Sequence, residues 1–175
     1  MDLLERRRII LPNSENLLYD RSNLVCDGSN YFDTGFAPFS ATNYNRDFKI
    51  VIKFAEIPTQ STAQAVYLGC KYEGTLNGQS YPGFYIRRTT STTNVDIGGY
   101  SYYTPSAASL VNKDIIFWRR NHTYYVKVGS ATPVQLNVRE TQFDQNIVIG
   151  AGVQTNGTKF RYGICTFDYF RIEYI

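Results

Sequence analysis

Residues 146–175, NIVIGAGVQTNGTKFRYGICTFDYFRIEYI, decide the fold of this chain. Their second half is dense in aromatic and β-branched residues and contains no proline, which is typical of β-strands. Phe170 and Ile172 alternate with the charged Arg171, so one face of this closing strand is predicted to be buried and the other wet. A strand at the end of the chain must pair with strands formed earlier, and we expect residues 24–35 to supply that partner.

Most of the remaining sequence consists of short strand-like segments separated by turns. In FKIVIKF, residues 48–54, phenylalanine and isoleucine occupy alternate positions, which predicts a strand with one buried face. Further strands are predicted at residues 65–70, 83–88, 94–98, 114–120, 123–128, 134–138 and 147–151. A parallel sheet needs helices to cover its faces, and residues 24–175 show no helical periodicity. The sequence therefore predicts an all-β fold of two antiparallel sheets packed face to face.

The composition indicates one globular domain and excludes several partners. The chain has 175 residues, of which 43% are hydrophobic, which is enough for one well-buried core. The net charge of +3 is too small to indicate nucleic-acid binding. No apolar run is long enough to span a membrane or to form the core of a signal peptide, so we expect a protein made in the cytoplasm with no membrane partner. The three cysteines lie far apart in apolar text and are expected to be buried thiols: Cys26, Cys70 and Cys165.

Residues 1–23 differ from the rest of the chain and are interpreted as an N-terminal arm or linker preceding a domain of residues 24–175. The arm is charged, rich in leucine and interrupted by Pro12. It is either a disordered terminus or an attachment segment that docks on a partner protein. Its candidate contact residues are Leu3, Leu4, Arg6, Arg7, Arg8, Ile9, Ile10 and Leu11.

The order of these segments resembles the concanavalin A-like, laminin-G-like jelly-roll superfamily, in its short bacterial and bacteriophage versions. The resemblance covers residues 24–175 and implies a two-sheet antiparallel jelly-roll sandwich. That fold carries lectins, glycosidases, adhesive modules and structural units, so it does not decide a function. The segments that carry the resemblance are YFDTG at 31–35, VYLG at 66–69, GFYI at 83–86, IVIGA at 147–151 and the strand at 167–174.

The resemblance implies a non-catalytic virion surface protein of a bacteriophage, such as a capsid decoration, head fibre or tail fibre component. The arm would attach it to other virion proteins, and the sandwich would face outward for structural or adhesive binding, as a homo-oligomer. The first alternative is a stand-alone carbohydrate-binding lectin-like module. A less favoured alternative is a degenerate glycoside hydrolase.

The sequence provides no pattern of catalytic or metal-binding residues. A glycosidase on this fold needs two facing carboxylates, often delivered by one strand as Glu-x-Asp-x-x-Glu, and no such spacing occurs. His122 lies between two predicted strands and is interpreted as part of a hairpin turn. Asp96 and Asp144 could donate oxygens to calcium, but no dense Asp/Asn loop supplies the other ligands. We therefore expect no enzyme activity, no cofactor and no metal.

Two tyrosine-rich loops are the candidate glycan-binding sites, because a sugar needs an exposed aromatic ring and a few polar groups. In the alternative interpretation these tyrosines cover loop ends or pack against a neighbouring subunit. Trp118 is expected to fill the sandwich interior or its concave face, with a ligand platform as the alternative. The candidate glycan-binding residues are Tyr100, Tyr102 and Tyr103 in one loop, and Tyr72, Asn77, Gln79 and Tyr81 in the other.

Overall fold

A computed structural model describes residues 16–58, 64–88 and 93–175. The predicted contact residues of the N-terminal arm lie outside these ranges. No helix among the described residues is long and apolar enough to cross a membrane. The elements are β1 (Leu17–Asp27), β2 (Phe32–Asp33), β3 (Phe48–Glu56), β4 (Val66–Lys71), β5 (Thr75–Leu76), β6 (Gln79–Ser80), β7 (Gly83–Arg88), β8 (Val95–Gly98), β9 (Tyr102–Tyr103), α1 (Ala107–Leu110), β10 (Asp114–Arg120), β11 (Thr123–Val128), β12 (Val134–Leu136), β13 (Val148–Ile149), β14 (Gly152–Val153), β15 (Lys159–Phe160) and β16 (Ile164–Tyr174).

Two six-stranded sheets form the body of the described chain. The strand order of the first sheet is β1-β16-β3-β10-β11-β12, and that of the second sheet is β2-β13-β4-β7-β8-β9. Neighbouring strands in both sheets run antiparallel. The all-β, antiparallel fold predicted from the sequence is therefore confirmed.

The closing strand β16 lies between β1 and β3. Leu24 pairs with Phe167 and Asp27 with Ile164, so the predicted pairing of the two ends of the chain is confirmed for this part of β1. However, β1 begins at Leu17, and the predicted boundary between residues 23 and 24 falls inside this strand. Since the sequence before Leu24 is charged and carries no clear alternation, its pairing with β16 was not evident.

The two sheets share one core built largely from aromatic rings. Phe84 of β7, on the second sheet, lies with its ring centroid 4.5 Å from that of Phe117 on the first sheet and 6.4 Å from that of Phe48. The three cysteines are free thiols and all are buried, as predicted. The alternation predicted for β3 is also confirmed, because Phe48, Ile50, Ile52 and Phe54 are all buried.

The interior position predicted for Trp118 was wrong. Trp118 is only partly buried and stacks on Tyr125 of the neighbouring strand, with ring centroids 5.2 Å apart. The next residue, Arg119, points into the protein instead and is 1% exposed. Successive strand residues face opposite sides of a sheet, so a single choice of facing for β10 places the arginine inside and the tryptophan outside. Hydrophobicity alone favours the opposite choice at these two positions.

Candidate functional site

The structure brings one tyrosine from each predicted loop to the same place. Tyr81 and Tyr102 line a cavity of about 270 Å³ on the outer face of the second sheet, around Lys71. We call this cavity the Lys71 cleft. Its lining residues are Gln64, Lys71, Glu73, Tyr81, Arg87, Tyr102 and Arg161.

The strands of the second sheet place the charged side chains of the Lys71 cleft. Phe84 and Ile86 of β7 enter the core, so Tyr85 and Arg87 between them face outward. Lys71 ends the neighbouring strand, opposite Gly83. A Cβ atom at Gly83 would lie 2.1 Å from a backbone oxygen, and its φ of +98° is in the left-handed region, so only glycine allows β4 and β7 to approach this closely.

A small hairpin presents Tyr81 to the cleft. β5 and β6 are joined by Asn77-Gly78, with φ values of 49° and 77°, which are typical of a two-residue hairpin turn. The Tyr81 amide donates to the carbonyl of Gly74 at 2.6 Å, which holds the base of the hairpin closed. The Tyr81 ring is 52% exposed, so its face is available to a ligand.

Lys71 is a nearly buried cation at the centre of the cleft. It is 8% exposed, and its ammonium donates to the Tyr102 hydroxyl at 3.4 Å. It also lies 5.0 Å from the centroid of the Tyr85 ring and 5.6 Å from that of the Tyr81 ring. Burial, followed by the neighbouring Arg87 guanidinium, lowers the pKa of Lys71 to about 8. Charged Lys71 is therefore held at a cost in free energy.

Arg87 is the second cation of the cleft. It donates through Nη2 to the Tyr102 hydroxyl at 3.4 Å and lies over the Tyr102 ring, 5.0 Å from its centroid. Its Nε is buried, has no hydrogen-bond partner among the described residues, and lies 3.6 Å from Asp96 Oδ2. At that separation the contact is an ion pair without a hydrogen bond. One donor of this guanidinium is therefore left unused.

The carboxylates near the cleft are each engaged by a neighbour. Tyr85 donates its hydroxyl proton to Glu73 Oε1, and burial and this hydrogen bond raise the pKa of Tyr85 well above its ordinary value. Asp96 is 6% exposed and accepts a hydrogen bond from Thr104 at 3.0 Å. No group of three His, Cys, Asp or Glu side chains suited to a metal occurs in the described part of the chain.

The other predicted loop residues lie outside the Lys71 cleft. The Tyr103 ring packs against the core, and the Tyr72 ring lies 5.9 Å from that of Phe143. Asn77 donates its side-chain amide to Thr141 at 3.0 Å. Gln79 is exposed on β6. Tyr100 is 59% exposed, with the Arg139 guanidinium 3.6 Å from its ring centroid.

Five residues in or beside the Lys71 cleft were not predicted from the sequence as site residues: Lys71, Glu73, Tyr85, Arg87 and Arg161. Of these, Tyr85 and Arg87 could have been found, because alternation in GFYIRR places them on the face opposite Phe84 and Ile86. Lys71 follows an apolar run in which every residue is buried, so nothing local distinguishes it from a solvated strand end. Arg161 enters the cleft from a loop far along the chain.

A second buried cation, Arg119, belongs to a different network near the end of β10, an interior strand of the first sheet. Its guanidinium is fully enclosed and uses five acceptors. These are the carbonyl oxygens of Pro38 at 3.3 Å, Asn43 at 2.7 Å and Arg46, with the Tyr124 hydroxyl at 3.5 Å and Glu140 Oε1 at 3.1 Å.

His122 also contacts this network, with Nδ1 2.5 Å from Glu140 Oε2. The hairpin-turn prediction for His122 is confirmed, because Asn121 and His122 join β10 to β11 with φ values of 48° and 58°. The network therefore ties a hairpin end and the 38–46 loop together.

Comparison with known proteins gives little further information. No family model matches the chain, and no curated protein matches it. Among solved structures, the chain is similar to a mutant of Trypanosoma rangeli sialidase displaying trans-sialidase activity, with 13% identity and a TM-score of 0.45. The match covers 75% of this chain and 21% of the sialidase chain. A likeness at this level carries no functional information.

Proposed function

We propose that this protein is a non-catalytic, lectin-like β-sandwich of the jelly-roll type that binds a carbohydrate in the Lys71 cleft. The observation that carries the proposal is the meeting of Tyr81 and Tyr102 around a nearly buried lysine. Tyr81 offers an exposed ring face on which a sugar can stack. Lys71, Arg87 and Arg161 offer hydrogen-bond donors that fix the orientation of a hydroxyl-rich ligand.

The state of the carboxylates supports binding without catalysis. Glycoside hydrolysis needs two carboxyl groups, of which one gives a proton and the other acts as base or nucleophile. Of the two acidic residues here, Glu73 accepts the Tyr85 hydroxyl and Asp96 is ion-paired with Arg87 behind the opening. Two carboxylates already engaged in this way do not form an acid–base pair. A degenerate hydrolase remains the weaker alternative, and measurable turnover of a bound glycan would establish it.

The virion role is a proposal that rests on the resemblance to bacteriophage versions of the fold. In this proposal the domain sits on the particle surface as a homo-oligomer, and the N-terminal segment attaches it to other virion proteins. Deletion of residues 1–15 tests the attachment, because it spares β1, which begins at Leu17. We expect the truncated protein to fold but to be absent from particles. Undiminished incorporation would contradict the attachment role.

A glycan array probed with the full-length protein tests carbohydrate binding, with Tyr81→Ala and Tyr100→Ala as a matched pair. Both tyrosines are exposed to a similar degree, at 52% and 59%, but only Tyr81 lines the Lys71 cleft. We expect Tyr81→Ala to lose the array signal and Tyr100→Ala to keep it, with calcium and with chelator alike. A blank array, or a signal that survives Tyr81→Ala, would overturn the proposal.

A further inference from the structure

We infer that the ligand of the Lys71 cleft is an acidic saccharide, whose carboxylate, sulfate or phosphate group lies against Lys71, Arg87 and Arg161. This inference rests on the proposed carbohydrate binding and names its ligand class. Three observations carry it: the unused donors in the cleft, the excess of positive charge, and the position of the exposed tyrosine ring.

The donors of the cleft are incompletely satisfied. Burial of a cation is costly unless acceptors replace the lost water. The Lys71 ammonium reaches the Tyr102 hydroxyl only at 3.4 Å, which is long for a hydrogen bond to a charged donor. Arg87 Nε is buried without a hydrogen-bond partner among the described residues. Arg87 Nε is enclosed beside Asp96, but Nη2 reaches the Tyr102 hydroxyl of the cleft at 3.4 Å. An oxyanion placed beside that hydroxyl would accept from the Lys71 ammonium and from Arg87 Nη2, through the short charge-assisted hydrogen bonds that these groups form.

The charges of the cleft favour an anion. Three of its lining residues are cations, whereas Glu73 is the single acidic one. The positive charges of Arg87, Arg161 and Arg139 all act to lower the pKa of Lys71, and the negative charge of Glu73 opposes them. Asp96, the other nearby carboxylate, is paired with Arg87 and not with Lys71. A ligand anion would relieve this mutual repulsion, while a neutral sugar would leave it in place.

The neighbouring aromatic ring indicates that the anion is carried by a sugar. The exposed Tyr81 ring lies beside the cations, 5.6 Å from the Lys71 ammonium to the ring centroid. A sugar ring stacked on Tyr81 could therefore direct an acidic substituent to Lys71. The cavity of about 270 Å³ is below the range of roughly 300–1,000 Å³ that holds drug-sized ligands, so it suits one sugar unit with its acidic group.

The test is an array of matched pairs, in which each acidic glycan is printed beside its neutral counterpart. The pairs are uronic acid oligosaccharides with their carboxyl-reduced forms, sulfated glycans with desulfated forms, and phosphorylated saccharides with dephosphorylated forms. We expect members of one acidic class to bind at least tenfold more tightly than their neutral partners. Equal binding within every pair, or binding of neutral members alone, would overturn the inference and leave carbohydrate binding intact. A blank array would instead overturn the proposed function.

Lys71→Met and Lys71→Arg then locate the acidic group by isothermal titration with the best acidic glycan. A hydrogen bond to a charged group contributes enough that Lys71→Met should weaken acidic binding by about 10- to 100-fold. Binding of the neutral partner should weaken less, by no more than about threefold, because it loses only a hydrogen bond to a hydroxyl, and Lys71→Arg should restore part of the acidic preference. A purely structural role for Lys71 would weaken both glycans alike. Unchanged acidic preference in Lys71→Met would place the acidic group elsewhere and overturn the assignment.

Discussion

Lys71 and Arg119 are both nearly buried cations, at 8% and 1% exposure, but they differ in the number of their hydrogen-bond acceptors. Arg119 lies near the end of β10 in the first sheet and uses five acceptors, including Glu140 at 3.1 Å. Lys71 lies on the outer face of the second sheet and reaches one hydroxyl at 3.4 Å. A cation that joins several loop carbonyls and a carboxylate acts as a cross-link. A cation whose donors are unused is available to a ligand.

The location of each cation follows from the loops around it. Arg119 collects the carbonyl oxygens of Pro38, Asn43 and Arg46, which belong to one loop that cannot pair them in a sheet. The arginine thus donates to the carbonyls of Pro38 and Arg46, whereas the carbonyl of Asn43 also accepts from the Arg46 amide at 2.9 Å. Lys71 has tyrosine rings around it, which supply attractive faces but few lone pairs. The comparison predicts that substitutions at Arg119 damage stability and substitutions at Lys71 damage binding.

The largest effect is expected for Arg119→Met. The substitution removes the guanidinium that pairs with Glu140 and donates to the carbonyls of Pro38 and Arg46, and removal of one partner from a buried ion pair costs about 3–5 kcal/mol. Urea unfolding followed by fluorescence measures this loss in the free energy of unfolding. A variant as stable as the parent protein would show that the Arg119 network is not a cross-link and would break the comparison.

Lys71→Met should weaken ligand binding but leave the stability of the protein nearly unchanged. The variant removes a buried charge with one long hydrogen bond, so we expect the free energy of unfolding to change by less than about 1 kcal/mol or to increase. Its affinity for the acidic glycan should fall by an amount equivalent to about 1.5–3 kcal/mol. Titration and urea unfolding of the same preparation measure both quantities. A large loss of stability with unchanged binding would show that Lys71, like Arg119, has a structural role and does not bind the ligand.

The pH dependence of stability should separate the two cations further. The pKa of Lys71 is about 8 in the folded protein and 10.5 in the unfolded chain, so between these values the unfolded state binds more protons. The free energy of unfolding therefore rises with pH across this window, by about 1–2 kcal/mol, as the cost of the charged lysine disappears. Subtracting the curve of Lys71→Met isolates this contribution. A difference curve that is flat from pH 7 to pH 10.5 would contradict the assigned burial of the charge.

The lowered pKa of Lys71 should also make acidic-glycan binding depend on pH. Deprotonation of Lys71 above about pH 8 removes the charge that attracts the acidic group, so acidic binding should weaken there and neutral binding should not. A bound anion also favours the charged lysine, so the midpoint in the complex should lie above that of the free protein. Titrations at pH 7 and pH 9.5 with a matched glycan pair measure this. Loss of both members together would indicate unfolding instead.

The smallest effect is expected for Trp118→Ala, which serves as the control for Arg119. Trp118 lies on the outer face of the first sheet and stacks on Tyr125, an aromatic contact that contributes about 0.5–1.5 kcal/mol. A core tryptophan would cost about 3–5 kcal/mol when truncated to alanine. Thermal or urea unfolding distinguishes the two values. A cost in the higher range would place Trp118 in the interior and reverse the facing of this strand.

Much of the fold could be predicted, because the relevant patterns are local. Alternation fixed the buried face of β3, and the two-residue turn at His122 followed from its position between two strands. The facing of Trp118 and Arg119 could not be predicted, since it depends on a loop whose carbonyls need a donor. Hydrophobicity predicts where the tryptophan would prefer to lie, but it does not show that the buried loop carbonyls need the arginine as a donor.

The Lys71 cleft was only half predictable for a related reason. Its tyrosines stand out in glycine-rich loops, whereas its cations come from three distant segments that the sheet brings together. Lys71 meets Arg87 through the pairing of β4 with β7, and Arg161 enters from the loop before β16. Such a cluster exists only after long-range strand pairing, so no spacing in the sequence encodes it.

Mapping the bound acidic glycan on the protein tests directly whether the Lys71 cleft is the binding site. Backbone amide chemical shifts of the isotope-labelled full-length protein would be followed by NMR during titration with the best acidic glycan from the matched array. We predict that the largest shifts occur at Lys71, Tyr81, Arg87 and Arg161, with little change around Arg119 and its loop. Shifts centred on Tyr100 or Trp118, with none around Lys71, would contradict the account.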